Sequence, residues 1–159
     1  MTGKGAIIVK ICLRGDATSH FVEAILQHIQ AKGIETVPCG ALTGREADYV
    51  DAASEVAEKV SSGACDYGVL FCTTGTGVTI VANKFPGVRA AMCYDTFSAE
   101  ISKLANNANV LVLSIRYTGE RLGKEIVDAW LATAPSTEPR RVNFHRKTDE
   151  VDARTRRRS

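Results

Sequence analysis

Apolar residues along the chain follow two patterns, short continuous runs and longer stretches with helical spacing. The continuous runs are typical of parallel strands covered on both faces, and they predict strands at 6–13, 35–39, 67–72, 88–93 and 109–114. The spaced stretches predict helices at 19–32, 49–61, 78–84, 96–106 and 119–132. Strands and helices therefore alternate along the chain.

This alternation predicts an α/β fold in which a five-stranded parallel sheet has helices on both faces. In such sheets the ligand crevice lies beyond the carboxyl ends of the strands. Cys72, Tyr94, Asp95 and Arg116 end or follow predicted strands, so we expect them near that edge. The polar stretch 40–48 is expected to be an exposed loop.

The pattern changes after residue 133, where Pro135 and Pro139 interrupt helical spacing and apolar anchors become rare. With 159 residues, 45% of them hydrophobic, the chain is sized for one domain with its own core. We expect that domain over residues 1–146, and a basic, disordered tail over 147–159. Internal repeats and a second domain are not evident.

The composition of the chain limits the kinds of site and partner that we expect. The formal net charge is +2, and five cysteines stand at 12, 39, 65, 72 and 93 without a C-x-x-C pair, which favours reduced thiols. Neither a signal-peptide pattern nor an apolar run of membrane-spanning length is present, so we expect a soluble cytoplasmic protein without membrane or nucleic-acid partners. Three histidines without a ligand cluster predict no metal site.

The segment from Cys72 to Gly77 is the strongest candidate for a functional site. Gly75 and Gly77 allow a ligand close to the backbone, and the free amides of a following helix favour an anion. A thiol beside such a helix start is favoured as the thiolate, which makes Cys72 a usable base. The alternative is a cysteine that only packs. A nucleotide site is not indicated, because the loop lacks a third glycine and a following Lys-Ser or Lys-Thr.

The string from Cys72 to Lys84, followed by Pro-Gly-Val-Arg-Ala at 86–90, resembles the signature block of the ribose-5-phosphate isomerase B family, which also contains galactose-6-phosphate isomerase subunits. The resemblance extends over residues 6 to about 146. It implies a Rossmann-like three-layer sandwich and aldose–ketose isomerisation of a small sugar phosphate without metal or other cofactor. It also implies a homodimer, or alternatively a tetramer, with active sites shared between subunits.

The same resemblance implies roles for individual residues. Cys72 would be the base that moves a proton between C2 and C1 through an enediolate, and Thr74 would help to open the sugar ring. A glutamate that some members use instead corresponds to Val78, which cannot act as a base. Contacts to substrate and phosphate are implied for Asp16, Tyr49, Thr73, Gly75, Thr76, Gly77, Asn106, Arg116, Arg140 and Arg141.

Some of these residues also have ordinary structural explanations. Tyr49 could pack on a helix face, Asn106 could end a helix, and Thr74 could cap the next one. Arg116 and Arg140 could be solvated surface side chains. The joint match favours the functional interpretation.

Three positions depart from the family pattern. After the first strand, the family aspartate falls on Gly15 or, with a shift of one residue, on Asp16, which leaves Ala17 in place of a histidine. The histidine that helps to open the ring is replaced by Ala105. The second arginine of the phosphate motif is replaced by Phe144, for which Arg141 or Arg146 could compensate.

The functional hypothesis is therefore an isomerase that interconverts ribose 5-phosphate and ribulose 5-phosphate in the non-oxidative pentose phosphate pathway. It ranks first because Cys72, Thr74 and Asn106 are all present. Two alternatives explain the missing residues differently. One is a subunit of the galactose-6-phosphate isomerase type that needs a partner chain, and the other is a catalytically silent protein that binds sugar phosphates.

Overall fold

Five parallel strands form one sheet in the computed structural model, which describes residues 10–15, 19–43 and 48–157. The strands are β1 Lys10–Gly15, β2 Glu35–Pro38, β3 Tyr67–Cys72, β4 Ala90–Met92 and β5 Val110–Ser114. Their order across the sheet is β2-β1-β3-β5-β4, and every neighbouring pair is parallel. The predicted five-stranded parallel sheet is confirmed.

Helices connect the strands and cover both faces of the sheet. They are α1 His20–Gln30, α2 Tyr49–Ser61, α3 Thr76–Ala82, α4 Thr96–Asn106, α5 Glu120–Ala132 and α6 Pro139–Arg156. Two of them begin at aspartate caps. Asp48 accepts hydrogen bonds from the amides of Val50 (2.8 Å) and Asp51 (3.0 Å), and Asp95 accepts one from the amide of Ser98 (2.7 Å). These caps fix the starts of α2 and α4 where the sequence predicts them.

The sheet separates two apolar cores. On one face, α1, α4 and α5 pack over the sheet in a core that includes Phe71 of β3 and Trp130 of α5. On the other face, α2 and α3 pack over Leu70 and Val112. The alternating directions of side chains along β3 place Leu70 and Phe71 in different cores. The fold is the three-layer α/β sandwich expected from the sequence.

Several boundaries differ from those predicted. The segment 6–9 of the first predicted strand lies outside the described residues. β4 is shorter than 88–93, because the Arg89 amide bonds the side chain of Asn109 (2.7 Å) before strand pairing begins. The stretch 40–48 begins with a 3₁₀ helix, Gly40–Thr43, in which Leu42 packs against the core. α3 begins at Thr76, between the glycines as predicted, but ends at Ala82, two residues before the predicted end.

Residues 147–156, within the tail expected to be disordered, form instead the second half of α6. Proline at the first helical position stabilises this helix, and so do two ion pairs between residues four positions apart. The pairs join Arg146 to Glu150 and Arg156 to Asp152. No side chain of α6 is buried. The expectation of disorder was wrong because it weighed only apolar anchors and neglected these polar ones.

α6 is held to the rest of the chain by polar contacts. Asp152 accepts a hydrogen bond from the Gly87 amide (2.9 Å), and Asp149 lies 3.3 Å from the guanidinium of Arg89. His145 contacts the last turn of α4. Among the described helices, none combines the length and apolar character needed to cross a membrane.

Candidate active site

The site is centred on the end of β3, beside the point where the connections of the sheet change direction. From β1 the chain passes to β2 on one side, and β3 lies on the other side of β1. The loops after β1 and β3 therefore diverge and leave a crevice at this edge. Cys72 ends β3 in register with Ser114 of β5, and it is 8% exposed. Its thiol thus lies at the boundary between core and crevice.

The glycines after Cys72 are required by close contacts. Gly75 has φ +88°, in the left-handed region, and a Cβ there would lie 2.2 Å from the sulfur of Met92. A Cβ at Gly77 would lie 2.9 Å from a ring carbon of Tyr49. The Tyr49 ring therefore covers the loop, as expected of a residue at the site. Met92, which the sequence did not single out, forms the floor under Gly75.

The amides at the start of α3 are available to a ligand. Gly75 is the N-cap and supplies no side-chain hydrogen bond, and the first helical bond joins the Thr79 amide to the Gly75 carbonyl (3.2 Å). The preceding amides, those of Thr76, Gly77 and Val78, have no acceptor within the helix. The loop therefore carries both a candidate base, the Cys72 thiol, and a set of hydrogen-bond donors, these amides.

Residues after β5 hold this loop in place. The hydroxyl of Ser114 donates to the Thr73 carbonyl (2.7 Å), and the Ser114 oxygen accepts from the Tyr117 amide (3.3 Å). The Arg116 amide donates to the same Thr73 carbonyl (3.3 Å). Ser114 was not among the site residues predicted from the sequence. Like Cys72, it ends an apolar run, and this position could have indicated it.

The structure brings together most of the site residues expected from the sequence. Those found on the loop or against it are Tyr49, Cys72, Thr73, Thr74, Gly75, Thr76, Gly77 and Arg116. The side chains of Thr73, Thr74, Thr76 and Arg116 are exposed. Asp16 lies outside the described residues, so its contact with phosphate stays a prediction.

Three expected site residues lie elsewhere in the same chain, namely Asn106, Arg140 and Arg141. Asn106 ends α4 at the amino edge of the sheet, where the nearby Asn109 carbonyl accepts from the Gly68 amide at the start of β3 (3.0 Å). Gly68 and Cys72 are four residues apart on β3, which at a rise of about 3.3 Å per residue is about 13 Å. A single chain therefore does not bring Asn106 to Cys72.

A cavity of about 700 Å³ lies at this amino edge, between α6, the end of α4 and the start of β4. Asn106, Arg89 and His145 are among the residues that line it. The Nε2 of His145 lies 2.8 Å from the Ala105 carbonyl oxygen. Because this contact joins residues 40 positions apart, the sequence held no signal for it.

The two arginines of α6 are held differently. The guanidinium of Arg140 lies 5.5 Å from the centre of the Phe144 ring, the residue at the family's second arginine position. Arg141 lies 3.4 Å from Glu138, and its buried Nη1 has no hydrogen-bond partner among the described residues.

The other cysteines are packing residues. Burial raises the pKa of the Cys39 thiol to about 11, and burial likewise raises the pKa of Cys12 and Cys93. All five cysteines are free, and the described residues contain no cluster suited to a metal ion. Of the five, Cys72 alone lies on the loop at the crevice.

The comparisons with known proteins agree with this geometry. The family described as Ribose/Galactose Isomerase matches residues 11–147. Ribose-5-phosphate isomerase B of Escherichia coli is 43% identical over 107 residues, which are 67% of this chain and 72% of the relative. D-erythrulose-4-phosphate isomerase of Pectobacterium atrosepticum is 42% identical over 108 residues, 67% of this chain and 71% of the relative.

A solved structure of ribose-5-phosphate isomerase B from Clostridium thermocellum has a TM-score of 0.85 and 35% identity, and the match covers 92% of this chain and 99% of that one. The resemblance read from the Cys72 loop is thus confirmed by the sequence and by the fold. The chain belongs to the ribose/galactose isomerase family, as a sugar-phosphate isomerase of the ribose-5-phosphate isomerase B type.

Proposed function

We propose that this protein interconverts ribose 5-phosphate and ribulose 5-phosphate, with Cys72 as the base. The observation that carries the proposal is the position of Cys72 at the crevice, on the same loop as the free amides of α3. Removal of the C2 proton of an aldose leaves an enediolate, whose negative oxygen needs donors that are already in place. The proton then returns at C1, which gives the ketose.

We further propose a homodimer in which each active site uses residues of both subunits. Asn106 and the arginines of α6 lie at the opposite edge of the sheet from Cys72 in one chain, so a second copy is the simplest way to bring them together. A two-fold dimer would create two equivalent sites of this kind. A guanidinium suits the geometry of a phosphate dianion, which supports phosphate contacts for Arg140 and Arg141.

A four-carbon sugar phosphate is the second candidate substrate. Ala105 stands where the family has its ring-opening histidine. An aldotetrose 4-phosphate needs no ring opening, because its O4 carries the phosphate and cannot close a furanose ring. The name of the Pectobacterium relative, a D-erythrulose-4-phosphate isomerase, supports this candidate.

The test is turnover by the purified chain alone with ribose 5-phosphate, erythrose 4-phosphate, allose 6-phosphate and galactose 6-phosphate. We expect the pentose to be the best substrate. Cys72→Ala should abolish turnover and retain sugar-phosphate binding, measured by calorimetry. The matched control, Cys65→Ala, removes a buried thiol outside the site and should retain turnover.

Other outcomes identify other functions. Full activity of Cys72→Ala would refute the mechanism. A preference for erythrose 4-phosphate would show that the substrate is the four-carbon sugar phosphate and not ribose 5-phosphate. Binding without turnover of any sugar would indicate a silent binder. Activity that appears only with a second related chain would indicate a subunit of the galactose-6-phosphate isomerase type.

A further inference from the structure

An aldopentose 5-phosphate presents a chemical problem that Cys72 does not solve. Its O5 carries the phosphate, so O4 closes on C1 and the sugar is mainly a furanose. The enediolate forms only from the open chain, which has a carbonyl at C1. A group at the site must therefore move a proton from O1 to O4 as the C1–O4 bond breaks.

His145 is placed to be such a group. A carbonyl oxygen only accepts hydrogen bonds, so Nε2 of His145 carries the hydrogen that bonds Ala105, and Nδ1 is left for a second partner. Within residues 10–15, 19–43 and 48–157, no hydrogen bond engages Nδ1. The ring is half-buried and lines the cavity beside Asn106.

The carboxylates near this imidazole are already engaged. Asp149 pairs with Arg89, and Asp152 binds the Gly87 amide and the guanidinium of Arg156 (2.8 Å). Imidazole is also the side chain that exchanges protons most readily near neutral pH. Of the groups that line the cavity, His145 is therefore the one suited to move a proton.

We infer that His145 of one subunit opens the furanose ring of the sugar held at Cys72 of the partner subunit. Nδ1 takes the proton from O1, the C1–O4 bond breaks as the C1 carbonyl forms, and the same proton passes from Nδ1 to O4. Both oxygens are bonded to C1, so one nitrogen can reach both. The inference rests on the proposed function, and it assigns to α6 the role of the histidine missing at Ala105.

The experiment separates ring opening from enolisation. Ribulose 5-phosphate cannot close a five-membered ring, because its O5 is phosphorylated, so deuterium exchange at its C1 in D₂O reports the Cys72 step alone. His145→Gln retains a donor for the Ala105 carbonyl but cannot carry a proton. We expect this variant to lose roughly 10²-fold or more in kcat with ribose 5-phosphate, while C1 exchange of ribulose 5-phosphate, followed by NMR, is unchanged.

His28→Gln is the matched control, since His28 bonds Asp128 (2.7 Å) between α1 and α5 and should affect neither rate. Equal loss of turnover and exchange in His145→Gln, or no loss of either, would overturn the role of His145. If the wild-type protein itself shows neither turnover nor exchange, the proposed function fails instead. The two failures are thus distinguishable.

Discussion

At the residue scale, Lys103 is the most unusual side chain outside the site. It is 2% exposed, and its ammonium lies 3.5 Å from the centre of the Tyr67 ring and 4.1 Å from that of Trp130. Burial, together with the charge of Arg89, lowers the pKa of Lys103 to about 8. No ion pair among the described residues includes Lys103, so the aromatic rings are the main partners of its charge.

This burial predicts a specific pH dependence of stability. A lysine whose pKa is lower in the folded state than its ordinary value of 10.5 destabilises the fold fully below pH 8, and the penalty disappears as pH rises to 10.5. Lys103→Met should therefore raise the free energy of unfolding at pH 7 by roughly 1–3 kcal/mol. Urea unfolding between pH 7 and 10.5 should show this advantage shrinking.

The control is Lys84→Met, which replaces an exposed lysine and should give no such trend. A difference between Lys103→Met and the wild type that stays constant with pH would show that the charge of Lys103 is not destabilising.

At the element scale, the attachment of α6 depends on ionised groups. Burial acts to raise the pKa of Asp152, but the Gly87 amide and the Arg156 guanidinium outweigh it, so the pKa lies below its ordinary value. Such a carboxylate stabilises the folded state above its unfolded pKa, and the contribution is lost as pH falls through the folded pKa. Acid should therefore release α6 before it unfolds the apolar cores.

Asp152→Asn tests this attachment at neutral pH. Loss of the charge weakens the bonds to Gly87 and Arg156, so hydrogen exchange of the α6 amides should accelerate by roughly tenfold. Exchange in β3 and β5 should stay slow. Glu150→Gln removes an ion pair within α6 itself and should have a smaller effect. Equal acceleration in both variants would mean that Asp152 does not anchor the helix.

The sequence predicts some elements better than others, and the reasons are physical. α2 and α4 match their predicted bounds because aspartate caps and apolar spacing agree locally. The strand order could not be predicted, since it depends on contacts between distant segments. α6 was missed because it has no apolar stripe. The Cys72 loop was predictable from its glycines, whereas the contact between His145 and Ala105 depends on the docking of α6.

At the scale of the whole molecule, the proposed site requires two subunits, and mixed dimers can test this. Cys72→Ala and Asn106→Ala should each be inactive alone. In a dimer of one subunit of each, one site contains both mutations and the other contains neither, so random mixing should recover about a quarter of wild-type activity. The measurement is ribose 5-phosphate turnover after co-refolding.

A mixture of Cys72→Ala with Cys72→Ala,Asn106→Ala has no intact site and is the control. Recovery in the control would show that the activity comes from elsewhere. An active Asn106→Ala protein, or no recovery in the mixture of single variants, would contradict the shared site.

The lack of buried side chains in α6 has an evolutionary consequence. Substitutions on an exposed surface usually change stability by no more than about 0.5 kcal/mol, so most of this helix can vary without endangering the fold. Drift in α6 is then limited by what the helix contributes to chemistry rather than by folding. A lineage can move its proton-transfer group from α4 to α6, and adjust its choice of sugar, while the sheet and its two cores stay as they are.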